Sequence, residues 1–435
     1  MLHFWDYIYM YILHWIPIIR SGRINNSFVL KRIVTLYRNA FEGLSRPTWM
    51  LSLIMLINRS GTMVLPFLSV YLTQSLGFSV VETGIVLSSY GFGSLVGAYF
   101  GGILTDRIGH FQVQFISLII SGFCYIALSA ISDYYYLIGG FFLTSMIAES
   151  LRPANASSIS FYAKPENIAR SFSLNRMAIN LGFSIGPLAG GLLAAISYKM
   201  LFYMDGITCI MAGSVFFLYF RKRKGHQPER KKSKKESKKI KTAYSDKKYL
   251  VFIVLCSVYA ILFFQLFMTL PIYYRQMYDL SERLIGSLLA INGFTVFTIE
   301  MILVYILSKR YRLHWLIITG MIMLGISFAI LNLGHSLSLL VFSMLLLSIS
   351  EIFAMPFMAT FVVDRSNANN RGSYMGLYTM SFSVALILAP YLGSRIISNF
   401  GFETLWWGTG IIAFLITFGF YFVTRPTYLK EKHTI

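Results

Sequence analysis

Runs of about 20 predominantly apolar residues recur from one end of this chain to the other, and they restrict its fold more than any other feature. An α-helix needs about that length to cross the ~30 Å hydrocarbon core of a bilayer. Of the 435 residues, 56% are hydrophobic and only 13% are charged, which is more apolar surface than a soluble protein of this size can bury. The sequence therefore predicts an all-α polytopic membrane protein.

Breaks between the apolar runs define the expected spans. These are residues 48–73, 81–104, 112–131, 135–161, 167–195, 200–220, 249–274, 282–307, 313–333, 337–361, 372–397 and 402–424. The predicted organisation is an N-terminal extension (1–43), an N-terminal six-helix bundle (44–220), a basic linker (221–248), a C-terminal six-helix bundle (249–425) and a tail (426–435). An even number of helices places both ends of this assembly on the same side of the membrane.

The N-terminal extension has no assigned place in that scheme. Residues 2–19 are apolar enough to form a helix, yet the later spans do not require another one. A signal peptide is not expected, because no cationic segment precedes the run and no small-residue cleavage site follows it. Two alternatives stay open: a helix that lies at the membrane interface, and an extension upstream of the true start site.

Positive charge is concentrated in the predicted linker. Between Arg221 and Lys248, fourteen Lys and Arg residues accompany three acidic ones, so this loop holds +11 of the net +20. The other loops on the same side carry Arg107, Lys164, Arg170, Lys309, Arg310, Arg312, Arg365 and Arg371. Because loops rich in Lys and Arg stay cytoplasmic, we expect both termini on the inner side of the cell membrane. Anionic lipid headgroups are expected partners of the linker, whereas nucleic acid is not, because the run lacks interleaved aromatic residues.

The second half of the chain repeats unusual residues of the first half at an offset of about 202 positions. The matched pairs are Gly84 with Gly286, Gly91 with Gly293, Glu149 with Glu351, Pro153 with Pro356, Arg170 with Arg371, Pro187 with Pro390 and Gly190 with Gly393. An ordered series that includes a glutamate inside a span is not expected by chance. It predicts two parallel six-helix halves related by an axis along the membrane normal.

The loop after the second span combines glycines, an acid and an arginine at a defined spacing. The residues are Gly102, Asp106, Arg107 and Gly109. This pattern resembles the loop between the second and third helices of major facilitator superfamily transporters, and it implies their fold of twelve helices in two pseudo-symmetric six-helix bundles. That family has two basic residues after the second glycine, whereas His110 and Phe111 follow here. The resemblance therefore implies a weakened cytoplasmic latch.

Small residues recur every four positions in the fifth span. The segment contains Gly182, Gly186, Pro187, Gly190 and Gly191. Glycines at i, i+4 and i+8 form a smooth face for close helix contact, and the proline weakens the local backbone hydrogen bonds. The segment resembles the fifth-helix motif of the drug:proton antiporters of that superfamily. Close helix packing alone is the alternative interpretation.

Ionisable side chains inside the spans indicate a mechanism, because a charge at the bilayer midplane costs at least ~2.5 kcal/mol. Glu149 and Glu351 occupy matching positions in the fourth and tenth spans, and Arg59 lies near the middle of the first. In the resembled fold the first, fourth, seventh and tenth helices line a central cavity, so these three residues could converge there. Arg152 follows Glu149 by three residues on the same helix face.

Competition between burial and ion pairing suggests how a proton could be bound. The candidates for proton coupling are Glu149, Glu351 and Glu300. Burial favours a neutral carboxyl group and a neighbouring guanidinium favours the carboxylate, so protonation can break a pair with Arg59 or Arg152. A permanent structural bridge is the alternative, and Asp205 in the sixth span is interpreted as a helix cap. Further polar candidates for the cavity are Asn58, Gln265 and Asn292.

The sequence contains no nucleotide-binding loop, metal-ligand cluster or nucleophile–base arrangement, so we predict neither an enzyme nor a cofactor. The resemblance implies a monomeric, proton-coupled carrier of small molecules, most similar to drug:proton antiporters. A symporter or exporter of a metabolite, peptide or lipid is one alternative, and a transport-inactive receptor or scaffold on the same fold is another. A large apolar cavity would favour drugs or lipids, and a second cation near Arg59 would favour an anionic solute.

Overall fold

The computed structural model describes residues 42–164, 167–222, 243–366 and 371–425, and these ranges are helical and contain no β-strand. The predictions for most of the N-terminal extension, most of the basic linker and the tail concern residues outside these ranges. The bundle boundaries proposed above likewise stay predictions.

Helices account for every expected span. The first six spans are Arg46–Ser60 with Val64–Val70 and a π-helical turn over Tyr71–Ser75, Val80–Ile108, His110–Leu128, Tyr134–Glu149 with Leu151–Tyr162, Ile168–Ala194, and Lys199–Phe220. The last six are Lys247–Phe263 with Gln265–Met268 and Leu270–Tyr278, Glu282–Arg310, Leu313–Ala329, Leu337–Arg365, and the two spans of Arg371–Thr424.

Twelve spans result, in agreement with the sequence. Ten helical stretches of the described residues are long and apolar enough to cross a membrane. The stretch Tyr374–Thr424 counts once among them, although its backbone leaves the helical conformation at Gly401 (φ 82°) and so contains two spans. The broken fourth span is not among the ten. We call the end of the assembly with the loops at Arg107, Lys164 and Arg365 the basic end, and the other the opposite end.

The first, fourth and seventh spans are interrupted near their middles. The fourth breaks after Glu149 because Pro153 has no N–H to donate to the carbonyl oxygen four residues earlier. In the first span, the Asp205 carboxylate accepts hydrogen bonds from the N–H groups of Met63 (2.8 Å) and Val64 (3.2 Å) at the start of Val64–Val70. It thereby satisfies backbone donors that the break would leave unpaired, as expected for a cap.

Glycines form the contacts between the first six and the last six spans, at positions related by the repeat. Gly84 of the second span packs against the backbone of Pro390 in the eleventh. Its repeat mate Gly286, in the eighth span, packs in the same way against Pro187 in the fifth. A Cβ atom at either glycine would lie within 3.0 Å of the facing carbonyl oxygen. Only glycine therefore permits this approach of the two halves.

The same two contacts continue toward the centre of the bundle. Gly91 and Gly293 have no room for a Cβ against the facing backbones of the eleventh and fifth spans. Beside them, Ser88 Oγ donates to the carbonyl oxygen of Ile387 (2.9 Å), and Ser184 Oγ donates to that of Ala290 (3.2 Å). We call the contacts of Gly84, Gly91, Gly286 and Gly293 the glycine seam. It joins the two halves from the centre to the opposite end.

An ion pair joins three segments of the last six spans at the basic end. Asp246 caps the helix Lys247–Phe263 and accepts hydrogen bonds from Arg365 Nε (2.7 Å) and Nη2 (2.8 Å) and from the Tyr374 hydroxyl (3.1 Å). Burial alone would raise the pKa of the Asp246 carboxyl group, but the hydrogen bonds from Arg365 and from the Tyr249 N–H outweigh it. The pKa of Asp246 therefore lies below its ordinary value.

Candidate transport site

A cavity of about 390 Å³ lies between the two halves, within the volume range of small-molecule sites. Its lining extends from Leu65 and Pro66 in the middle of the bundle to Ile159 and Phe172 near the basic end. The first, fourth, fifth and seventh spans form most of the wall. The tenth span, which was expected in the wall, contributes no described lining residue. The glycine seam lies toward the opposite end, so the cavity extends away from the seam.

Glu149 lies on the cavity wall and is paired with its neighbour on the fourth span. Arg152 Nη2 lies 2.7 Å from Glu149 Oε2. Glu149 is 5% exposed, whereas 43% of the Arg152 side chain is exposed. Glu149 Oε2 has no donor aligned for a hydrogen bond, so the contact is an ion pair at close range without hydrogen-bond geometry. This buried carboxylate is therefore held by one partly exposed cation.

Arg59 lines the same cavity and has no acidic partner among the described residues. Its guanidinium lies over the Phe183 ring, 5.6 Å from the ring centroid, and its buried Nε has no hydrogen-bond partner. Behind Arg59 and Glu149 lies a second, smaller space of about 30 Å³, which also borders Asp205. That volume holds about two water molecules.

A chain of hydrogen bonds leads from the cavity wall into the first six spans. Asn155 and Asn175 line the cavity, and Asn155 Nδ2 donates to Asn175 Oδ1 (3.3 Å). Gln114 Nε2 donates to Asn155 Oδ1 (3.4 Å), and Ser158 Oγ donates to Gln114 Oε1 (2.9 Å). The chain ends at His110, whose Nδ1 lies 2.9 Å from Ser158 Oγ. All five side chains are buried, so the amides at the wall have fixed partners.

Glu351 occupies a different environment from Glu149, although the repeat relates them. Asn292 Nδ2 donates to Glu351 Oε2 (3.2 Å) and to Ser348 Oγ (3.2 Å). Neither Glu351 nor Asn292 is a described lining residue of the central cavity, and Glu351 forms no ion pair with a described residue. The expected convergence of three charges therefore reduces to Glu149 and Arg59.

Two other polar candidates, Gln265 and Asn58, each form their hydrogen bonds within their own half of the molecule. Gln265 Nε2 donates to the carbonyl oxygen of Ala389 (3.1 Å), and Gln265 Oε1 accepts from the Thr269 hydroxyl (2.8 Å). Those bonds join the seventh span, between its two breaks, to the eleventh. Asn58 donates to Cys209 Sγ (3.3 Å) and borders the smaller space. Neither side chain lines the central cavity.

Glu300 forms an ion pair that crosses between the halves. Arg176 of the fifth span contacts Glu300 Oε1, and Asn180 Nδ2 donates to Glu300 Oε2 (3.0 Å). These residues border a further cavity of about 270 Å³ between the fifth and eighth spans. Glu300 is among the site residues predicted from the sequence, whereas Arg176 and Asn180 are not. An arginine eight residues into a span was itself a sufficient signal for Arg176.

The fifth-span glycines pack where their spacing predicted a smooth face. Gly182, Gly186 and Gly190 lie against the first span on either side of its break, and Gly191 lies against Glu282 and Gly286 of the eighth. Pro187 faces the eighth span as well. This segment therefore packs against both halves of the molecule.

The loop motif divides into a turn and two exposed charges. Gly109 has φ 93°, in the region that favours glycine, and separates the second span from the third. Asp106 and Arg107 are exposed and pair with no other described charged side chain. A Cβ at Gly102 would meet nothing within 4 Å.

Among the described residues, no group of three potential ligands could hold a metal ion, and the cysteines are free thiols.

Twelve spans, a glycine seam between two repeated halves and a charged cavity between those halves are the architecture of a membrane transporter. The chain belongs to the Major Facilitator Superfamily, whose family model matches residues 49–313 and 278–434. Sequence relatives and solved structures agree with this membership.

Bacterial transporters are among the relatives in sequence. The uncharacterized MFS-type transporter YqjV of Bacillus subtilis is 23% identical, covering 81% of this chain and 87% of that protein. The multidrug resistance protein MdtH of Salmonella arizonae is 22% identical with the same coverage. Among solved structures, a POT family transporter in complex with 5-aminolevulinic acid has a TM-score of 0.76 at 16% identity, covering 88% of this chain and 97% of that one. The nucleoside transporter NupG has a TM-score of 0.71 at 16% identity, covering 88% and 100%.

Proposed function

We propose that this protein exports amphipathic small molecules across the cell membrane by alternating access, in exchange for protons. The observation that carries the proposal is a buried carboxylate, Glu149, on the wall of the cavity between the halves. The MdtH relatives, which are named for multidrug resistance, support an export function.

Glu149 has the surroundings that proton exchange requires. The carboxylate is buried, and its ion pair with Arg152 is partly exposed to the cavity. A proton that binds Glu149 neutralises it and removes the attraction to Arg152; departure of the proton restores the pair. Because the cavity extends toward only one end of the bundle, exchange of access between the two ends would couple proton movement to substrate movement.

The glycine seam supports the proposed motion. At Gly84 and Gly286 the backbones meet with only small side chains between them, so their separation breaks the hydrogen bonds of Ser88 and Ser184 but disturbs no large interlocked side chain. The repeat places equivalent contacts on both sides of the cavity, so the two halves can rock about it as units. Basic loops on the inner side, by the positive-inside rule, would make the cavity of this structure open toward the cytoplasm.

Proton release in everted membrane vesicles tests this function. Vesicles with an imposed acid interior are loaded with a pH-indicating dye, and candidate substrates are added outside. We expect the wild type to dissipate the pH gradient when a transported substrate is added. In Glu149→Gln the rate of this dissipation should be at least about tenfold lower. Glu403→Gln, a matched change at an exposed glutamate of the opposite end, should behave as the wild type.

Two results would contradict proton exchange. Substrate movement that proceeds equally without a gradient would remove the coupling. A wild-type protein that moves none of a chemically diverse substrate panel would favour a receptor or scaffold.

A further inference from the structure

We propose that the central cavity selects amphipathic anions, with Arg59 as the residue that binds the anionic group. This inference rests on the proposed transport function for its physiological meaning, but it concerns equilibrium binding and can be tested without transport.

The charges of the cavity wall do not cancel. Arg59, Arg152 and Glu149 are the charged side chains among the described residues that line it. The Glu149 carboxylate lies within 2.7 Å of Arg152, which leaves Arg59 as the cation without a carboxylate partner. The wall therefore carries a net charge of +1 at neutral pH with Glu149 ionised, concentrated at a residue in the middle of the first span.

Arg59 is also short of hydrogen-bond acceptors. Its Nε is buried and has no partner, and its guanidinium lies over the face of Phe183. A cation–π contact stabilises a guanidinium less than a bidentate bond to a carboxylate, sulfonate or phosphate group does. A planar guanidinium presents donors that match such groups. A bound anion would supply both the missing charge and the missing acceptor.

The amide side chains of the wall also offer hydrogen-bond donors to the cavity. Asn155 Oδ1 accepts from Gln114, and Asn175 Oδ1 accepts from Asn155. Each of these amide oxygens already accepts one hydrogen bond, whereas the N–H groups of Asn175 donate to no described residue and are available to a ligand in the cavity. Ser158 has a single hydroxyl proton, which it donates to Gln114, so the hydrogen bond between Ser158 and His110 must use a proton on His110 Nδ1. Each donor in this chain of hydrogen bonds, from His110 to Asn175, is therefore directed toward the cavity.

The remaining wall requires an apolar body on the same ligand. Phe172, Phe264, Phe267 and Met268 line the cavity beside Arg59. A hydrophilic anion would leave this surface in contact with water, whereas an aromatic or aliphatic body would cover it. The cavity thus combines an apolar wall with one unpaired cation, Arg59, which suits a ligand with an apolar body and a single anionic group.

Three dansyl compounds with the same fluorophore separate charge from hydrophobicity. They are dansylglycine (an anion), dansylcholine (a cation) and dansylamide (neutral), and their binding is measured by fluorescence on the full chain in lipid nanodiscs, with empty nanodiscs subtracted. We expect dansylglycine to bind about tenfold more tightly than dansylcholine. Arg59→Gln should remove this preference, and Arg59→Lys should keep part of it.

The controls address folding and non-specific charge effects. Arg395→Gln removes an exposed arginine at the opposite end and should keep the wild-type preference. If Arg59→Gln does not fold, Asn175→Leu should still lower dansylglycine affinity several-fold and leave dansylamide affinity unchanged. The proposal is overturned if wild type binds dansylcholine as tightly as dansylglycine, or if a folded Arg59→Gln keeps the preference. Failure of the vesicle experiment together with selective anion binding would instead reject proton coupling alone.

Discussion

Glu149 and Glu351 are repeat mates with different surroundings, so the repeat preserves the position of a glutamate without preserving its environment. Glu149 lies on the cavity wall beside a guanidinium, whereas Glu351 accepts a hydrogen bond from the neutral amide of Asn292 and lies away from that wall. The residues at the repeat offset from Arg152 are Ala354 and Met355, and Ile261 corresponds to Arg59. Both arginines of the cavity therefore belong to the first half alone.

The glycine seam shows the opposite behaviour, because both halves retain it. Gly84 and Gly286 make the same contact with the proline-containing segment of the facing half. The proposed motion of the halves would use two equivalent sides, whereas the proposed binding of a proton and a solute would need only one charged wall. Symmetric packing with asymmetric charge is thus consistent with a carrier whose halves share the movement and divide the chemistry.

Removing the charge of each glutamate gives the largest expected contrast. Glu149→Gln should reduce proton-linked transport at least about tenfold, because it removes the carboxylate beside the cavity. Glu351→Gln should reduce it less than about threefold, because Gln can keep a hydrogen bond to Asn292. Transport of one substrate in everted vesicles measures both. Equal losses for the two variants would mean that both halves carry coupling protons.

Substitution in the glycine seam tests whether its two sides are equivalent. Gly84→Ala and Gly286→Ala each place a methyl group within 3.0 Å of a facing carbonyl oxygen, so each should lower the transport rate by a similar factor of about ten. Gly376→Ala is the matched control, because a Cβ there meets nothing within 4 Å. A large effect on one side only would contradict rocking of the halves as symmetric units.

The ion pair between Arg176 and Glu300 is a second asymmetry between the two halves, in addition to the charges of the cavity wall. It joins the fifth and eighth spans, whereas Ala98 and Tyr378 stand at the repeat-related positions of the second and eleventh. Glu300→Gln should change the transport rate about two- to fivefold, because it weakens one hydrogen-bonded contact between the halves. The exchanged pair Arg176→Glu with Glu300→Arg should recover most of the rate. No recovery would indicate that Glu300 acts through its proton rather than through Arg176.

The sequence determined the spans and the repeat better than it determined the site. The apolar runs and the breaks between them identified all twelve helices, and glycine spacing identified the face of the fifth span that packs closely, which in the structure lies against the first span. The position of Glu351 was not predictable, because one residue turns a side chain by about 100° around a helix axis. Hydropathy places span boundaries to within a few residues, so it does not determine which side of the helix a given side chain faces. Pro356 stands one residue out of step with Pro153, a sign that the two spans differ locally.

The sequence also did not predict which charged residues of distant spans pair with each other. Arg176 and Glu300 are both charges within spans, so the sequence could mark each as unusual. Their contact depends on how the fifth and eighth spans pack, which glycines such as Gly293 set by allowing close approach. The hydrogen-bond chain from His110 to Asn175 crosses three spans for the same reason. Residue type identified the candidates, and packing selected the partners.

The smallest expected effect concerns the ion pair between Asp246 and Arg365 at the basic end of the last six spans, which we call the clamp. The clamp has no counterpart in the first half, because Leu44 and Ala163 stand at the repeat-related positions. The side chains of Asp246 and Arg365 are 15% and 29% exposed. Asp246→Asn should lower the free energy of unfolding by about 2 kcal/mol at neutral pH, because it replaces charged hydrogen bonds by neutral ones. Asp279→Asn is the control, since its pair with Arg275 spans 3.7 Å and its side chain is 96% exposed.

The pH dependence of that difference follows from the pKa of Asp246. Arg365 and the Tyr249 N–H hold it below the ordinary value against the opposing effect of burial, so the folded state binds the Asp246 proton less readily than the unfolded state does. The stabilisation is therefore complete above the unfolded pKa of about 3.9 and is lost as the pH falls through the folded pKa. Thermal unfolding of wild type and Asp246→Asn in detergent should converge as the pH is lowered below about 4. A difference that stays constant at acid pH would show that the clamp acts by packing rather than by charge.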